Sequence, residues 1–301
     1  MSLQLCGKSF NAFMTEKLKD YIKEKEIYPE FNIITSGDNA ASKIYVNNKV
    51  KKAEEIGIKA NVIHFDYIMS KNEIEDYIYD LPTIVQLPIT GNITEKDVNT
   101  LFDYALLNDV DGFAYDNSAK LAMGETPNYY PCTPKGVIDL LAFYGFTDFT
   151  GMNVVVVGRS NIVGKPMARL FLERNANVTI LHSKTKPQDL QNYIRNADIV
   201  VSAVGKKDII DYRGKYVDGE FIQGFDPLDK IFIDVGVSRD ENGKICGDIE
   251  QNTKELSRAY TPSVGGVGPC TVIELMKNVV KAFTYEPIEK FEKYFEMPID
   301  N

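Results

Sequence analysis

The sequence predicts two α/β domains, and the second is expected to be a Rossmann-type, doubly wound parallel sheet. Short apolar runs alternate with helix-type segments in both halves of the chain, which favours parallel strands joined by helices. The second half has the regular spacing of a nucleotide-binding domain. Between the halves, residues 117–134 are richer in Pro, Gly, Asn and Tyr, and are interpreted as the passage between domains.

In the first half, a helix is predicted over Asp38–Ile56, with Asp38 or Asn39 as its cap and Gly57 as its end. Its apolar face is assigned to Ala40, Ile44, Val46 and Ala53. The other elements expected in this half are a strand at Lys59–His64, a helix at Asn72–Tyr79, a strand at Thr83–Leu87, a helix at Lys96–Leu106 and a strand at Val110–Phe113.

In the second half, Pro134 is placed in the first turn of a helix that runs through Val137–Tyr144 and ends at Gly145. The last helix starts at Thr271 and is expected to return to the first domain. The other elements expected here are strands at Asn153–Val157, Val178–Leu181, Asp198–Ala203 and Lys230–Val235, and helices at Lys165–Arg174 and Pro187–Arg195.

Composition narrows the classes of function. The chain has 301 residues, 44% hydrophobic and 26% charged, with a net charge of −9, which argues against a nucleic-acid surface. No window is apolar enough for a transmembrane helix, and the first twenty residues lack a signal-peptide pattern, so a cytoplasmic location without membrane contact is expected. The four cysteines form no CxxC pair and there are two histidines, so no metal site is expected.

The strongest local signal is VGRSNIVGKP at 157–166, where an apolar strand runs into Gly158, a short loop and then Gly164. Glycines at such a turn allow a pyrophosphate to approach the backbone, and the helix that follows presents free N–H groups. The pattern departs from GxGxxG, because Ser160 stands at the middle glycine position. Dinucleotide binding is the favoured interpretation, and a plain tight turn is the alternative.

Arg159 and the end of the next strand indicate which dinucleotide is bound. An arginine at this position can accommodate a ribose 2′-phosphate. The second strand ends in Leu181-His182-Ser183-Lys184, without the acid that would bind an unmodified ribose. Both features favour NADP over NAD, and a solvated arginine beside an ordinary loop is the alternative.

In the first domain, Ser42, Tyr45 and Lys49 share one helix face, where a ring could stack and an amine could transfer protons. Taken alone, such a pair is more often a surface tyrosine and a solvated lysine. It gains interest beside VQLP at 85–88 and DVDG at 109–112, because ligands bind at the carboxyl ends of parallel strands. A Gln or Asp there could also be a turn former. The glycine-rich loop at 261–271 allows close approach of a ligand or is a linker.

Taken together, these motifs resemble the bifunctional methylenetetrahydrofolate dehydrogenase/cyclohydrolase family. The resemblance implies a cleft between the two domains, NADP as cofactor, tetrahydrofolate derivatives as substrates and a homodimer. The matching stretches, in family order, are Ser42–Gly57, Val85–Pro88, Asp109–Phe113, Pro131–Gly136, Gly158–Pro166, His182–Thr185, Asp234–Val237 and Gly265–Pro269.

The resemblance also implies residue roles and domain limits. Lys49 is expected to be the catalytic lysine, with Gln86 holding it, Tyr45 stacking on the folate and Asp111 anchoring the pterin. A folate-binding catalytic domain is expected at 1–120, joined by the helix at 271–301, with a Rossmann-type NADP-binding domain at 121–270. The full substrate-binding set is Ser42, Tyr45, Val85, Gln86, Leu87, Asp111, Gly265, Gly266 and Pro269. The full cofactor-binding set is Gly158, Arg159, Ser160, Ile162, Val163, Gly164, His182, Ser183 and Val237.

The chain departs from the family pattern at several points, including Asn108, Val264 and Cys270, and the proline lost at Val264 is expected to loosen its loop. Three alternatives to the bifunctional enzyme stay open. They are a relative with one of the two activities, another two-domain NADP dehydrogenase acting on a small hydroxy or amino acid, and a catalytically idle nucleotide-binding or interaction protein. Retention of Lys49, Asp111 and Arg159 favours an enzyme with both activities.

Overall fold

The fold is described from a computed structural model, which covers residues 2–37, 40–65, 71–86, 100–102, 105, 108–217, 219–284 and 286–297. The strands are β1 (Leu3–Gln4), β2 (Glu30–Ser36), β3 (Lys59–Phe65), β4 (Thr83–Val85), β5 (Asn153–Val157), β6 (Asn177–Leu181), β7 (Ile199–Ser202), β8 (Gly214–Val217), β9 (Glu220–Gln223), β10 (Ile231–Asp234), β11 (Ser238–Arg239), β12 (Ile245–Cys246) and β13 (Ala259–Tyr260). The helices are α1 (Gly7–Lys25), α2 (Ala40–Ile56), α3 (Lys71–Glu75), α4 (Tyr115–Met123), α5 (Cys132–Phe143), α6 (Gly164–Leu172), α7 (Pro187–Arg195), α8 (Gln251–Glu255), α9 (Val267–Ala282) and α10 (Ile288–Phe295).

The chain divides into two compact units. The larger-sheet unit comprises Met1–Phe10 and Thr133–Cys270, and the smaller-sheet unit comprises Asn11–Cys132 and Thr271–Asn301. These limits differ from the predicted 1–120 and 121–270 at two places. Residues 1–10 join the larger-sheet unit because β1 pairs in parallel with β13, and residues 121–132 stay with the smaller-sheet unit.

The larger-sheet unit is built on a six-stranded parallel sheet in the order β1-β13-β10-β7-β5-β6. The chain moves outward from β5 to β6 and then returns to place β7 on the other side of β5. This reversal creates the topological switch point at which doubly wound sheets bind ligands. Apolar residues of β5, β7 and β10 pack with α7 into one core, which includes Val155, Val200, Phe232 and Ile194.

The smaller-sheet unit contains the parallel sheet β3-β2-β4, and Asp109 extends it through a single parallel bridge to Thr83. Ile34 of β2 and Val85 of β4 lie in its core, together with Phe102. Burial of such side chains contributes roughly 1.5–3 kcal/mol each to folding. Because β2 and β4 are parallel, their carboxyl ends meet at one edge of the sheet. Gln86 follows β4 directly at this edge.

Two helices of the smaller-sheet unit pack through aromatic rings. Tyr21 of α1 makes edge contacts with Phe291 at 5.4 Å and Tyr294 at 4.8 Å between ring centroids. Edge-to-face pairs of this kind add about 0.5–1.5 kcal/mol beyond the buried area. The C-terminal helix α10 is thereby fixed on α1.

Several predicted elements match the structure closely, and others were wrong. The strand at Asn153–Val157 and the helix at Pro187–Arg195 have the predicted limits. The predicted strand at Val110–Phe113 is a turn, because the Asp109 carboxylate accepts hydrogen bonds from the backbone of the residues after it. The passage at 117–134 contains most of α4, and Ile44 is exposed rather than on the apolar face of α2.

Some predictions fall on residues outside those described. They include the cap at Asp38 or Asn39, Leu87 and Pro88, and most of the helix at Lys96–Leu106. Within the described ranges, every helix is too short or too polar to cross a membrane. The same residues contain no group of three or more His, Cys, Asp or Glu side chains arranged to hold a metal ion.

Candidate active site

A buried lysine–glutamine pair lies in the smaller-sheet unit. Ser42, Val46, Lys49 and Ala53 are all buried, and their spacing places them on the inward face of α2. The Lys49 ammonium donates a hydrogen bond to Gln86 Oε1 at 2.9 Å, and both side chains are less than a tenth exposed. An ammonium buried in this way needs such a partner, because desolvating a charge without one is costly. The structure thus brings together two residues that are 37 positions apart.

Asp111 is the third predicted site residue of this group. Burial raises the pKa of its carboxyl group, while the Lys49 charge and a hydrogen bond from the Cys132 thiol lower it. Asn278 of α9 donates to the carbonyl oxygens of Val110 at 2.9 Å and Tyr130 at 3.0 Å, which links the backbone just before Asp111 to the backbone just before Pro131. Lys49, Gln86 and Asp111 therefore form one electrostatically coupled group.

The turn that carries Asp111 is organised by its neighbour Asp109, which is completely buried. Its carboxylate accepts hydrogen bonds from Gly112 N at 3.1 Å, Ala114 N and Asn117 Nδ2 at 3.0 Å. Burial raises the pKa of Asp109 to about 6, although these donors oppose the shift. Gly112 has a φ of +75°, and an added Cβ would lie 2.8 Å from the backbone before Pro131. The turn consequently tolerates little change.

The remaining predicted residues of this unit differ in exposure. Ser42 is buried, whereas the Tyr45 ring is 45% exposed and available for stacking. Val85 is buried in the core beside Ile34, where its side chain supports the sheet. Leu87 lies outside the described residues. Gly265, Gly266 and Pro269 belong to the larger-sheet unit.

In the larger-sheet unit, the turn after β5 forms a tight cradle. Gly158 has a φ of +129°, and a Cβ at this position would lie 2.6 Å from the carbonyl oxygen of Ala203. A Cβ on Gly164 would lie 2.3 Å from the carbonyl oxygen of Gly158. Ser160 Oγ accepts hydrogen bonds from Val163 N at 3.1 Å and Gly164 N at 3.3 Å, which closes the first turn of α6. The bare backbone at this switch point suits a close-lying pyrophosphate.

Arg159 and the turn after β6 provide the positive and polar groups beside this cradle. Arg159 is exposed, and in the part of the chain that the structure describes it has no ion-pair partner. His182 N donates to Thr185 Oγ1 at 3.0 Å, and Lys184 N donates to His182 Nδ1 at 3.2 Å. The resulting turn leaves Ser183 exposed. The Ser183 side chain is therefore accessible to a ligand.

The other predicted cofactor and loop residues also lie in the larger-sheet unit. Ile162 and Val163 are half-buried in the turn before α6, and Val237 is half-exposed three residues after β10. The carbonyl oxygen of Gly265 accepts a hydrogen bond from Lys8 N at 3.2 Å, which ties the glycine-rich loop to the start of α1. Pro269 lies in the first turn of α9.

Several residues that support these sites were not predicted from the sequence. Cys132 and Asn278 support Asp111, and a buried network around Asp234 and Lys254 lies at the carboxyl end of the large sheet. An acid at the end of an apolar strand was the available signal for Asp234. No local pattern distinguishes Lys254 from a solvated helix lysine.

Comparison with known proteins decides the family. Residues 5–111 match the catalytic domain of tetrahydrofolate dehydrogenase/cyclohydrolase, and residues 131–286 match the NAD(P)-binding domain of the same family. The chain belongs to the tetrahydrofolate dehydrogenase/cyclohydrolase family. It is therefore an enzyme of folate-linked one-carbon metabolism, and the predicted family and α/β fold class are confirmed.

Relatives and solved structures of this family match over nearly the whole chain. "Bifunctional protein FolD" of a Wolbachia strain from Brugia malayi is 40% identical, covering 94% of this chain and 95% of that protein. The crystal structure of the bifunctional enzyme FolD from Campylobacter jejuni has a TM-score of 0.83 at 36% identity, covering 94% and 98%. The Trypanosoma brucei enzyme, solved with NADP and an inhibitor, has a TM-score of 0.81 at 27% identity, covering 94% and 97%.

Proposed function

We propose an assignment of residues to the two reactions of this enzyme, which are the oxidation of methylenetetrahydrofolate with NADP and the hydrolysis of the methenyl product to formyltetrahydrofolate. The observation that carries the assignment is the buried hydrogen bond from Lys49 to Gln86 Oε1 at 2.9 Å. A lysine held by a neutral amide is oriented without a second charge. Lys49 is the proton carrier of the hydrolytic step, and Gln86 is the residue that positions it.

The hydrolytic step needs proton transfer at two points. Water adds to the methenyl carbon and loses a proton, and the ring nitrogen that leaves gains one when its bond to carbon breaks. Lys49 in its neutral form takes the first proton and returns it to the departing nitrogen. A positioned group of this kind typically contributes about 10²–10⁴ in rate.

Asp111 and Tyr45 bind the folate in this proposal. The Asp111 carboxylate accepts hydrogen bonds from the donor groups of the pterin, and the exposed Tyr45 ring stacks on the aminobenzoyl group. Ser42, Val85 and Leu87 are also assigned to folate binding, as are Gly265, Gly266 and Pro269.

NADP is assigned to the cradle of the larger-sheet unit, because Gly158 and Gly164 let the turn after β5 pack closely on its neighbours and leave bare backbone at the switch point. NADP, when bound, accepts the hydride released by the methylene carbon. Arg159 and Ser183 hold the 2′-phosphate, and this arrangement favours NADP over NAD. Further contacts to NADP are assigned to Ser160, Ile162, Val163, His182 and Val237.

The dehydrogenase step needs alignment rather than acid–base chemistry, because the folate nitrogens share the positive charge that hydride loss creates. Holding two reactants in the reactive geometry can supply about 7–11 kcal/mol. Folate chemistry is assigned to the smaller-sheet unit, which corresponds to the predicted 1–120 and 271–301 without residues 1–10 and with residues 121–132 added. NADP binding is assigned to the larger-sheet unit.

A homodimer in the cytoplasm is part of the proposal. The family resemblance supports the dimer, and the exposed rings of Tyr216 and Phe221 on the β8–β9 hairpin offer apolar surface. The described cysteines are all free thiols, as suits a reducing compartment. Light scattering on the purified protein tests the dimer, since a monomer mass at micromolar concentration would exclude it.

The assignment of Lys49 is tested by Lys49→Met, with Lys52→Met as a matched control on the same helix. Lys52 donates to Thr15 Oγ1 at 3.1 Å and pairs with Glu55 at 2.7 Å, away from Gln86. With methenyltetrahydrofolate as substrate, Lys49→Met is expected to lower the rate of hydrolysis by at least a factor of 100 and Lys52→Met by less than twofold. A normal rate in Lys49→Met would remove the assignment.

A further inference from the structure

A buried ion pair joins two segments at the carboxyl edge of the larger sheet. Asp234 is the last residue of β10, and its carboxylate accepts a hydrogen bond from the Lys254 ammonium at 2.9 Å. Both side chains are almost completely buried, at 0% and 1% exposure. The same ammonium donates to Ser263 Oγ at 2.6 Å, two residues before Gly265. Lys254 therefore links the end of β10 to the glycine-rich loop.

A second buried carboxylate extends this network to the loop after β7. Asp248 accepts hydrogen bonds from Ser202 Oγ at 2.9 Å, Val204 N at 2.7 Å and Lys206 N at 2.8 Å. Its own N–H donates to Asp234 Oδ1 at 2.9 Å. The loop after β7 is thus held by the Asp248 carboxylate, and the backbone of Asp248 is bonded to the carboxylate at the end of β10.

Two glycines show how closely the network is fitted. A Cβ on Gly247 would lie 1.8 Å from Asp234 Oδ2 and 2.6 Å from Ser263 Oγ. A Cβ on Gly236 would lie 2.1 Å from the Asp248 carboxylate. The chain leaves no room for a side chain at either place, so the polar groups are held in one arrangement.

The loops that the network joins carry residues of the proposed cofactor and folate sites. Val237 lies three residues after Asp234, and Gly265 lies two residues after Ser263. Asp234 pairs with Ser202 of β7, which in turn pairs with Val157, the residue before Gly158. The network therefore lies at the same sheet edge as the dinucleotide cradle.

We infer that Lys254 and Ser263 are positioning residues for hydride transfer, which fix the loops of Val237 and Gly265 around the reactive end of NADP. This inference rests on the proposed placement of NADP. A buried ion pair is a weak source of stability compared with apolar packing, although removing one partner is harmful. The ion pair between Asp234 and Lys254 instead holds the segments that carry these residues in one geometry. The anchor at Ser263 also restrains the loop that the proline lost at Val264 was expected to loosen.

The chain offers a matched control for Lys254. Lys230 is also buried and precedes β10 at the opposite, amino end of the strand, where it donates to the carbonyl oxygens of Arg195 and Ala197, both at 2.8 Å. Lys254→Met and Lys230→Met each remove a buried ammonium from one end of the same strand. A purely structural role for Lys254 would make the two variants behave alike.

The experiment compares dehydrogenase kcat, KM for NADP, cyclohydrolase rate and Tm in these two variants. We expect Lys254→Met to lower dehydrogenase kcat at least tenfold, with less than a threefold change in KM for NADP and in cyclohydrolase rate. Lys230→Met should lower Tm while keeping dehydrogenase kcat within twofold. Equal loss of dehydrogenase kcat in both variants, or none in Lys254→Met, would overturn the inference.

A second pair of variants covers the case in which Lys254→Met does not fold. Ser263→Thr and Ser263→Val have the same shape and differ only in the hydroxyl group that accepts from Lys254. Ser263→Val is expected to have at least a fivefold lower dehydrogenase kcat than Ser263→Thr, and equal values would refute the inference. The Lys49 assignment is tested by a different quantity, the cyclohydrolase rate of Lys49→Met. Its failure can therefore be distinguished from failure of the inference on Lys254 and Ser263.

Discussion

Replacing Asp109 by Asn should change how stability depends on pH, because this carboxyl group is completely buried. Burial raises the pKa of Asp109 from 3.8 to about 6 in the folded protein. The folded state therefore binds the proton more tightly than the unfolded chain. The stabilisation from protonated Asp109 is fully present below the pKa of this group in the unfolded chain. It is lost as the pH rises through the pKa of about 6 that the group has in the folded protein. By the linkage relation it falls by roughly 1.4 kcal/mol between pH 5 and pH 7.5.

Urea unfolding of the wild type and Asp109→Asn at a series of pH values measures this difference. The stability of the wild type relative to Asp109→Asn should decrease by roughly 1.4 kcal/mol from pH 5 to pH 7.5. Asp148 provides a control without pH dependence in this range, because the Thr150 backbone N–H lowers the pKa of this exposed carboxyl group and keeps it ionised in both states above about pH 5. A stability difference between the wild type and Asp109→Asn that is as constant with pH as that of Asp148→Asn, or that increases from about pH 5 to pH 7.5, would refute the reasoning.

Three further predictions concern binding. Arg159→Ala should raise KM for NADP at least tenfold and leave KM for NAD nearly unchanged, and equal changes in steady-state assays would exclude the 2′-phosphate contact. Gly158→Ala should abolish NADP binding by calorimetry, because its Cβ would lie 2.6 Å from the carbonyl oxygen that follows β7. Gly151→Ala, at a φ of +73° but in open space, should bind NADP normally. Cys132→Ala should raise KM for the folate several-fold in the dehydrogenase assay, whereas Cys132→Ser should restore it, since the thiol donates to the carbonyl oxygen of Val110 at 3.6 Å, next to the residue that anchors the pterin.

The sequence was most informative where local pattern and chemistry coincide. The apolar run at 153–157 followed by glycines predicted both a buried strand and the turn after it, because a central parallel strand is covered on both faces. Ser42, Tyr45 and Lys49 were assigned to one helix face from spacing alone, and Ser42 and Lys49 are buried whereas Tyr45 is 45% exposed. The pairing of Lys49 with Gln86 came only from the family resemblance.

The missed features depend on contacts between residues far apart in sequence. Val110–Phe113 looked like a strand because apolar residues recur there, yet the side chain of Asp109 satisfies the local N–H groups and turns the chain. β1 has two residues and owes its place to pairing with β13, which is 256 positions later. The burial of Lys254 follows from its tertiary contact with Asp234.

In the proposed assignment, Lys49 is required for the cyclohydrolase activity of this enzyme and not for its dehydrogenase activity. To test this, the wild type and Lys49→Met are each incubated with methylenetetrahydrofolate and NADP. NADPH and methenyltetrahydrofolate are followed together by absorbance. We expect the wild type to produce NADPH and formyltetrahydrofolate. We expect Lys49→Met to produce NADPH and to accumulate an equal amount of methenyltetrahydrofolate. Formyltetrahydrofolate produced by Lys49→Met at the wild-type rate would contradict it.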